Sequence, residues 1–244
     1  MDIYPMTVMY ALFKPDVLTW PEVNGKRSVK LENLSTANQL ASGPAHDAMV
    51  DVEATVALAK ALYQEADMWQ YLCGYFEKQT DLARAQKLPT AFDRYKIGLM
   101  VMGKFGNRDD YQAPVLHLGQ HRHYKNQTCW LRLDLKELST CTPETIAEAT
   151  WVIRKKPAEP GLILPMIDRY TTHLSAERKQ LVQNNLTWLQ ANPKLLKAIT
   201  EHHLDFTFPM VPEADIAASL YQAGFPSSGD QRICQQFHRA APKD

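Results

Sequence analysis

The chain of 244 residues has no surplus of either charge sign, with 27 Lys and Arg against 27 Asp and Glu. Any surface for a polyanion must therefore be a local patch rather than a property of the whole molecule. No apolar run approaches the ~20 residues that cross a bilayer. The N-terminus also lacks a basic region leading into an apolar stretch, so nothing points to export or to a membrane partner, and a cytoplasmic location is expected. Cysteine is scarce: Cys73, Cys129, Cys141 and Cys234 form no C-x-x-C pair and follow no regular spacing, which reads as reduced thiols rather than a disulfide framework. There is no internal repeat and no low-complexity tract. What is present is a chain with 45% hydrophobic residues, enough for a core and long enough for one to two domains.

The periodicity of those apolar residues changes along the chain. Tyr4 to Leu12, Leu31 to Leu40, Asp47 to Tyr63 and Met68 to Phe76 read as helices, followed by a charged surface helix or linker reaching Lys87. Within the third helix, Val52, Val56, Ala59 and Tyr63 recur at helical spacing and predict the buried stripe. Pro89 marks a plausible boundary, giving segments 1–88 and 89–244. Beyond it the period becomes two. Ile97, Leu99 and Val101 alternate with Gly98, Met100 and Met102, and Cys129, Leu131, Leu133 and Leu135 alternate with Trp130, Arg132, Asp134 and Lys136. Strands at Pro114 to Leu118 and Thr150 to Ile153 complete a small antiparallel barrel. Two helices then run from a Ser175 cap to His203, divided at Asn192-Pro193, where Asn caps and Pro takes the first helical position.

The segment Ala45-His46-Asp47-Ala48-Met49-Val50-Asp51 carries the most chemistry. Pro44 keeps the preceding backbone extended and Asp47 can cap the helix. Asp51 then lies off the apolar stripe beside Ala48 and Thr55, while His46 in the entering loop can fold back toward it. A proton acceptor paired with a metal-binding carboxylate suits phosphate-ester hydrolysis. An H-x4-D spacing also arises by chance, with His46 an ordinary loop residue bonded to a neighbour.

With Leu31-Glu32-Asn33-Leu34-Ser35-Thr36-Ala37-Asn38 before it and Ala54-Thr55 after it, this segment resembles the last active-site segment of bacterial exonuclease I, a DEDDh-type 3'→5' exonuclease. Tyr10-Ala11-Leu12, Trp20-Pro21, Lys104-Phe105-Gly106, Leu133-Asp134-Leu135, Asn192-Pro193 and Leu220-Tyr221 follow in the family's order. The resemblance implies an α+β chain: the C-terminal, mostly helical part of a ribonuclease H-like exonuclease domain, then an SH3-like barrel with appended helices. It also implies hydrolysis of single-stranded DNA with two Mg²⁺ ions, His46 matching the general base and Asp51 the last of four carboxylates. The other three belong to a D-x-E strand and a middle Asp segment that do not occur in this sequence, and Glu53 reads as a solvated helix residue. Without them the 244 residues are expected to be inactive alone. The Val52 and Val56 side of the helix is then expected to be an apolar surface open to a dimer partner or to a missing N-terminal half.

Two further expectations concern partners. Lys30, Lys104 and Arg122 are candidates to line a path for single-stranded DNA, Arg122 standing among His117, His121, His123, Tyr124 and Lys125 in what is equally a solvated hairpin tip. The resemblance also implies a pocket for the acidic C-terminal tail of single-stranded DNA-binding protein. Lys14, Tyr71 and Arg169 match its residues, and Gln190 stands where the family has Arg. Arg154-Lys155-Lys156 reads as a charged strand end, and His202-His203 as imidazolium favourably placed at a helix C-terminus. A non-catalytic module that binds single-stranded DNA or this tail is the alternative to a part of the exonuclease.

Overall fold

A computed structural model describes residues 2–43, 47–209, 211–213, 215, 219, 224 and 226–240. Two compact units emerge, Met1–Phe206 and Thr207–Asp244. In the second, Ser227 and Asp230 form a capping box that starts the helix Ser228–Arg239. The Leu220-Tyr221 match lies outside the described residues.

In the first unit the central element is α1 (Ile3–Phe13), started by Asp2, whose carboxylate accepts from the Tyr4 amide. Pro5 to Leu12 are all buried, so this helix is covered on every side and its sequence is apolar all round. Around it lie the hairpin β1 (Glu22–Val23) and β2 (Lys26–Arg27), then α2 (Leu31–Asn38), α3 (Ala48–Tyr63), α4 (Ala66–Cys73) and α5 (Lys78–Gln86). Asp47 caps α3 as expected, accepting from the amides of Met49 and Val50. The Tyr10 hydroxyl donates to the Leu62 carbonyl at 2.8 Å and ties α1 to the end of α3.

The apolar stripe of α3 is not the expected one. Ala54, Leu58 and Leu62 are buried, while Val52 is 54%, Val56 47% and Tyr63 58% exposed. Both sets repeat at helical spacing on a helix with few polar residues, so periodicity cannot choose the face. The outcome agrees with the other expectation, an apolar Val52 and Val56 surface.

Six strands form one antiparallel sheet: β3 (Thr90–Phe92), β4 (Tyr95–Val101), β5 (Gln112–Gln120), β6 (Thr128–Arg132), β7 (Val152–Lys155) and β8 (Leu162–Pro165). They follow the order β3-β4-β5-β6-β7, with β8 paired to β4. These pairings give the antiparallel sheet expected, and among the described residues they include none that closes it into a barrel. The strand expected through Leu135 stops at Arg132, and β3 and β8 were not anticipated. Pro89 falls inside the first unit, where Leu99, Val101, Leu162 and Leu164 share a core with α1. A short helix α6 (Ile146–Ala149) precedes β7, and α7 (Ala176–Ala191) and α8 (Pro193–Leu204) pack on the sheet. Ser175 caps α7, accepting from the Arg178 amide. Asn192 occupies the N-cap of α8 with Pro193 at the first helical position, as expected, but its side chain makes no capping bond there: its amide donates back to the Trp188 carbonyl at 2.8 Å and closes α7.

Candidate functional site

The three residues expected to hold a peptide tail come from distant parts of the sequence and meet in one cavity of about 400 Å³. Lys14 arrives on the residue that ends α1, Tyr71 on α4, and Arg169 on the turn after β8. His173 Nε2 donates to the Leu12 carbonyl at 2.8 Å, and Phe13 meets the Tyr170 ring edge-on at 5.6 Å, so the turn bearing Arg169 is pinned to the end of α1. Met9, Phe13, Met68 and Tyr170 give apolar walls, while Glu65 and Asp67 also line the cavity.

Tyr71 is held by its neighbours. The Tyr75 hydroxyl donates to the Ile163 carbonyl at 3.1 Å, so at the 3.2 Å contact between the two phenols Tyr71 is the donor. The guanidinium of Arg84 lies over both rings, 4.1 and 4.3 Å from their centroids. Burial, with Tyr71 as a secondary cause, keeps the Tyr75 phenol protonated well above its ordinary range. The Tyr71 oxygen keeps acceptor capacity, and the ring is still 38% exposed. An apolar side chain flanked by Lys14 and Arg169 is the arrangement that an aromatic residue with a free carboxylate would fill. Gln190 does not belong to it. It lines another groove, of about 450 Å³, with Arg94, Arg122 and Lys197.

The hydrolytic candidates fare differently. Asp51 is half-buried in the first turn of α3, where its backbone carbonyl accepts from the Thr55 hydroxyl at 2.7 Å. His46 lies outside the described residues. Glu53 is exposed, and two residues along a helix it points away from Asp51 by roughly 200°. Among the described residues no three His, Cys, Asp or Glu side chains gather where they could hold a metal ion. A hard divalent cation takes about six oxygen ligands, so the described donors do not fit the Mg²⁺ pair that the resemblance implies.

Of the DNA candidates, Lys30 is exposed before α2, 3.7 Å from Glu32, and Lys104 is exposed in the turn after β4. Tyr111, near that turn, donates to the Arg27 carbonyl at 3.5 Å, which brings the β1–β2 hairpin to the same end of the sheet. Arg122 lies beyond the opposite end of β5, at the hairpin tip, 3.6 Å from Asp205. A path joining all three must run the length of β5, roughly 30 Å for its nine residues.

Sequence reasoning missed the buried charges. Lys155, read as part of a charged strand end, is paired with Asp81 at 2.8 Å with both side chains 4% exposed. Asp134 bridges Arg132 at 2.6 Å and Arg178 at 2.5 Å, and Arg132 also reaches Asp109 at 2.7 Å. Arg132 and Asp134, opposite charges two residues apart in the segment of period two, were the available signal, although Asp134 lies just beyond the end of β6. His203 is not the imidazolium expected. The Thr150 hydroxyl donates to the Ile146 carbonyl at 2.5 Å, so it accepts from His203 Nε2 at 2.7 Å, and burial, aided by His202 and Arg154, pulls the imidazole down to about 4. His121 is buried too, its Nδ1 accepting from the amides of His123 and Tyr124.

No protein-family profile matches the chain. Exodeoxyribonuclease I of Escherichia coli K12 is 26% identical over 260 residues, which cover 98% of this chain and 53% of that protein. The chain is an exodeoxyribonuclease I homologue. It spans about half the length of that relative. Exodeoxyribonuclease I of Haemophilus influenzae is 39% identical over 72 residues, 29% of this chain and 14% of that protein. In three dimensions the chain superposes on E. coli exonuclease I bound to a dA16 oligonucleotide with a TM-score of 0.79, 23% identity, and coverage of 99% of this chain and 54% of that one. A structure of SSB and exonuclease I with the inhibitor CFAM gives a TM-score of 0.73 at 22% identity, covering 99% and 52%. Those likenesses establish the α+β fold.

Proposed function

We propose that this chain serves a 3'→5' exonuclease acting on single-stranded DNA by carrying its partner-docking pocket and one ligand-bearing helix, and that the 244 residues alone bind rather than hydrolyse. The observation that carries the docking part is the meeting of Lys14, Tyr71 and Arg169 in one apolar-walled cavity. Its occupant is the C-terminal tail of single-stranded DNA-binding protein, whose terminal aromatic side chain enters between Phe13, Met68 and Tyr170 while the carboxylate meets the cations. In a complete site His46 would take a proton from the attacking water and Asp51 would be one of the carboxylates holding a divalent ion, whose chemistry there would be to offset charge at the scissile phosphate. The donors described here do not suffice for that step.

Two measurements test the reading. Anisotropy of a labelled peptide ending in Asp-Phe with a free carboxylate should report binding that Arg169→Ala weakens about tenfold, as expected for losing a charge-assisted contact. The same purified chain should release no nucleotides from the 3' end of single-stranded DNA with Mg²⁺. Metal-dependent release lost in Asp51→Asn would overturn the binding-only part, and a peptide indifferent to Arg169→Ala would overturn the docking part.

A further inference from the structure

Arg84 occupies a cradle shaped for a guanidinium and finds no anion in it. Its central carbon lies 4.1 Å from the Tyr71 ring centroid and 4.3 Å from that of Tyr75, and the two rings meet edge-on at 5.7 Å. Gly74, at the C-cap of α4, makes the room: its φ of −61° is open to any residue, but a Cβ there would come within 2.8 Å of Arg84 Nη2. Arg84 is half-buried, its Nη1 is fully buried without a hydrogen-bond partner, and among the described residues no carboxylate pairs with it. A guanidinium keeps its charge when water is removed, so positive potential surrounds it uncompensated. That potential reaches the docking cavity. Tyr71 carries the guanidinium on its ring and also lines the cavity, and on the same lining burial, then Tyr71, raise the Tyr170 phenol while the charges of Arg169 and Arg84 act the other way. The charges on the lining itself cancel, Lys14 and Arg169 standing against Glu65 and Asp67, with Lys14 Nζ 2.7 Å from Glu65 Oε2.

We propose that Arg84 is a positioning residue of the docking pocket: from behind the Tyr71 ring it holds that wall in place and supplies the uncompensated positive charge that selects a peptide ending in a free carboxylate. The proposal rests on the docking reading. Arg84 is not on the lining, so it acts through Tyr71 and through its field rather than by touching the ligand. Even at an effective dielectric of about 20, attraction between unit charges across one ring is worth a several-fold change in affinity. Water and salt screen a half-buried charge less than they screen the exposed Arg169. The pocket so built favours the acid form of an aromatic terminus over its amide, which matches an acidic tail.

The test uses the whole 244-residue chain and two labelled peptides, a Phe-terminated acidic tail with its free carboxylate and the same tail as its C-terminal amide. Anisotropy gives the ratio of acid to amide affinity for the unaltered chain, Arg84→Met, Arg84→Lys, Gly74→Ala and Arg169→Ala, with a thermal midpoint for each. Arg84→Met should lower that ratio about three- to tenfold, with less sensitivity to salt than the loss in Arg169→Ala. Arg84→Lys, which keeps the charge, should stay within about twofold of the unaltered chain. Gly74→Ala, which displaces the guanidinium without removing it, should lower the ratio by less than Arg84→Met. A role in packing alone would weaken acid and amide together, and a ratio unchanged in Arg84→Met overturns the proposal whatever the midpoints. An equal fall in Arg84→Met and Arg84→Lys overturns it too. In either case an unaltered chain that prefers the acid, and loses the preference in Arg169→Ala, leaves the docking reading standing. An unaltered chain that binds acid and amide alike overturns both.

Discussion

The sheet region and helix α3 differ in whether their chemistry closes within the chain. In the sheet, Asp81 meets Lys155, Asp134 meets Arg132 and Arg178, and His203 meets Thr150, each pair held by partners that the 244 residues supply. On α3, Asp51 belongs to no cluster of three metal-binding side chains among the described residues, and Met49, Val52 and Val56 present apolar surface 65%, 54% and 47% exposed. The first region is organised for its own stability. The second is organised like one side of something larger, which is the physical sense in which the chain resembles about half of its relative.

The largest expected effect sharpens the self-contained side. Asp134→Ala removes the carboxylate between two guanidinium groups, its own side chain being 1% exposed and those of Arg132 and Arg178 7% and 18%. Stranding buried charge costs about 3–5 kcal/mol, read as a lower midpoint in urea unfolding. A loss below about 1 kcal/mol would mean that these charges are solvated in the folded state, and the contrast with α3 would fail.

A smaller effect follows from His203. Its imidazole is buried and titrates near 4 in the fold, against about 6.5 when unfolded. The folded value is the lower one, so the neutral form favours the fold. Its contribution is full above about pH 6.5 and is lost as pH falls toward 4, amounting to about 2–3 kcal/mol. Denaturant midpoints measured from pH 7 to 4 should fall less steeply in His203→Gln than in the unaltered chain. Parallel slopes would remove His203 from the set of internally satisfied groups.

Much of this contrast was legible in the sequence, for identifiable reasons. The caps at Asp47 and Ser175 were readable because an N-cap acts within three residues of itself, and both accept the amides expected. That Lys14, Tyr71 and Arg169 line one cavity was readable only through resemblance, since nothing local links Lys14 to Tyr71 or Arg169. Lys155 was misread because burial of a charge depends on a partner 74 residues away, and no periodicity records Asp81. His203 was misread for the same reason: a helix end invites an imidazolium, but burial against residues far away in sequence, among them Thr150, 53 residues earlier and accepting from its Nε2, keeps the imidazole neutral. Glu65 and Asp67 escaped notice because surface carboxylates before a helix are ordinary until the opposite wall of a cavity is known.

The smallest effect tests the comparison at its most exposed point. Leu58 and Val56 lie two residues apart on α3, the first 2% and the second 47% exposed. Leu58→Ala should cost about 2–4 kcal/mol by opening a cavity beside Leu62. Val56→Glu should change the stability of the lone chain by no more than about 0.5 kcal/mol, because water already covers that position. If the outer face meets a second copy or another polypeptide, sedimentation should show an association that Val56→Glu disperses while the unfolding midpoint at low protein concentration stays put. A cost above about 1.5 kcal/mol for Val56→Glu, independent of concentration, would show that the outer face of α3 is packed within the chain itself. The helix would then belong with the sheet among the regions complete in themselves, and the case for a partner on that face would be lost.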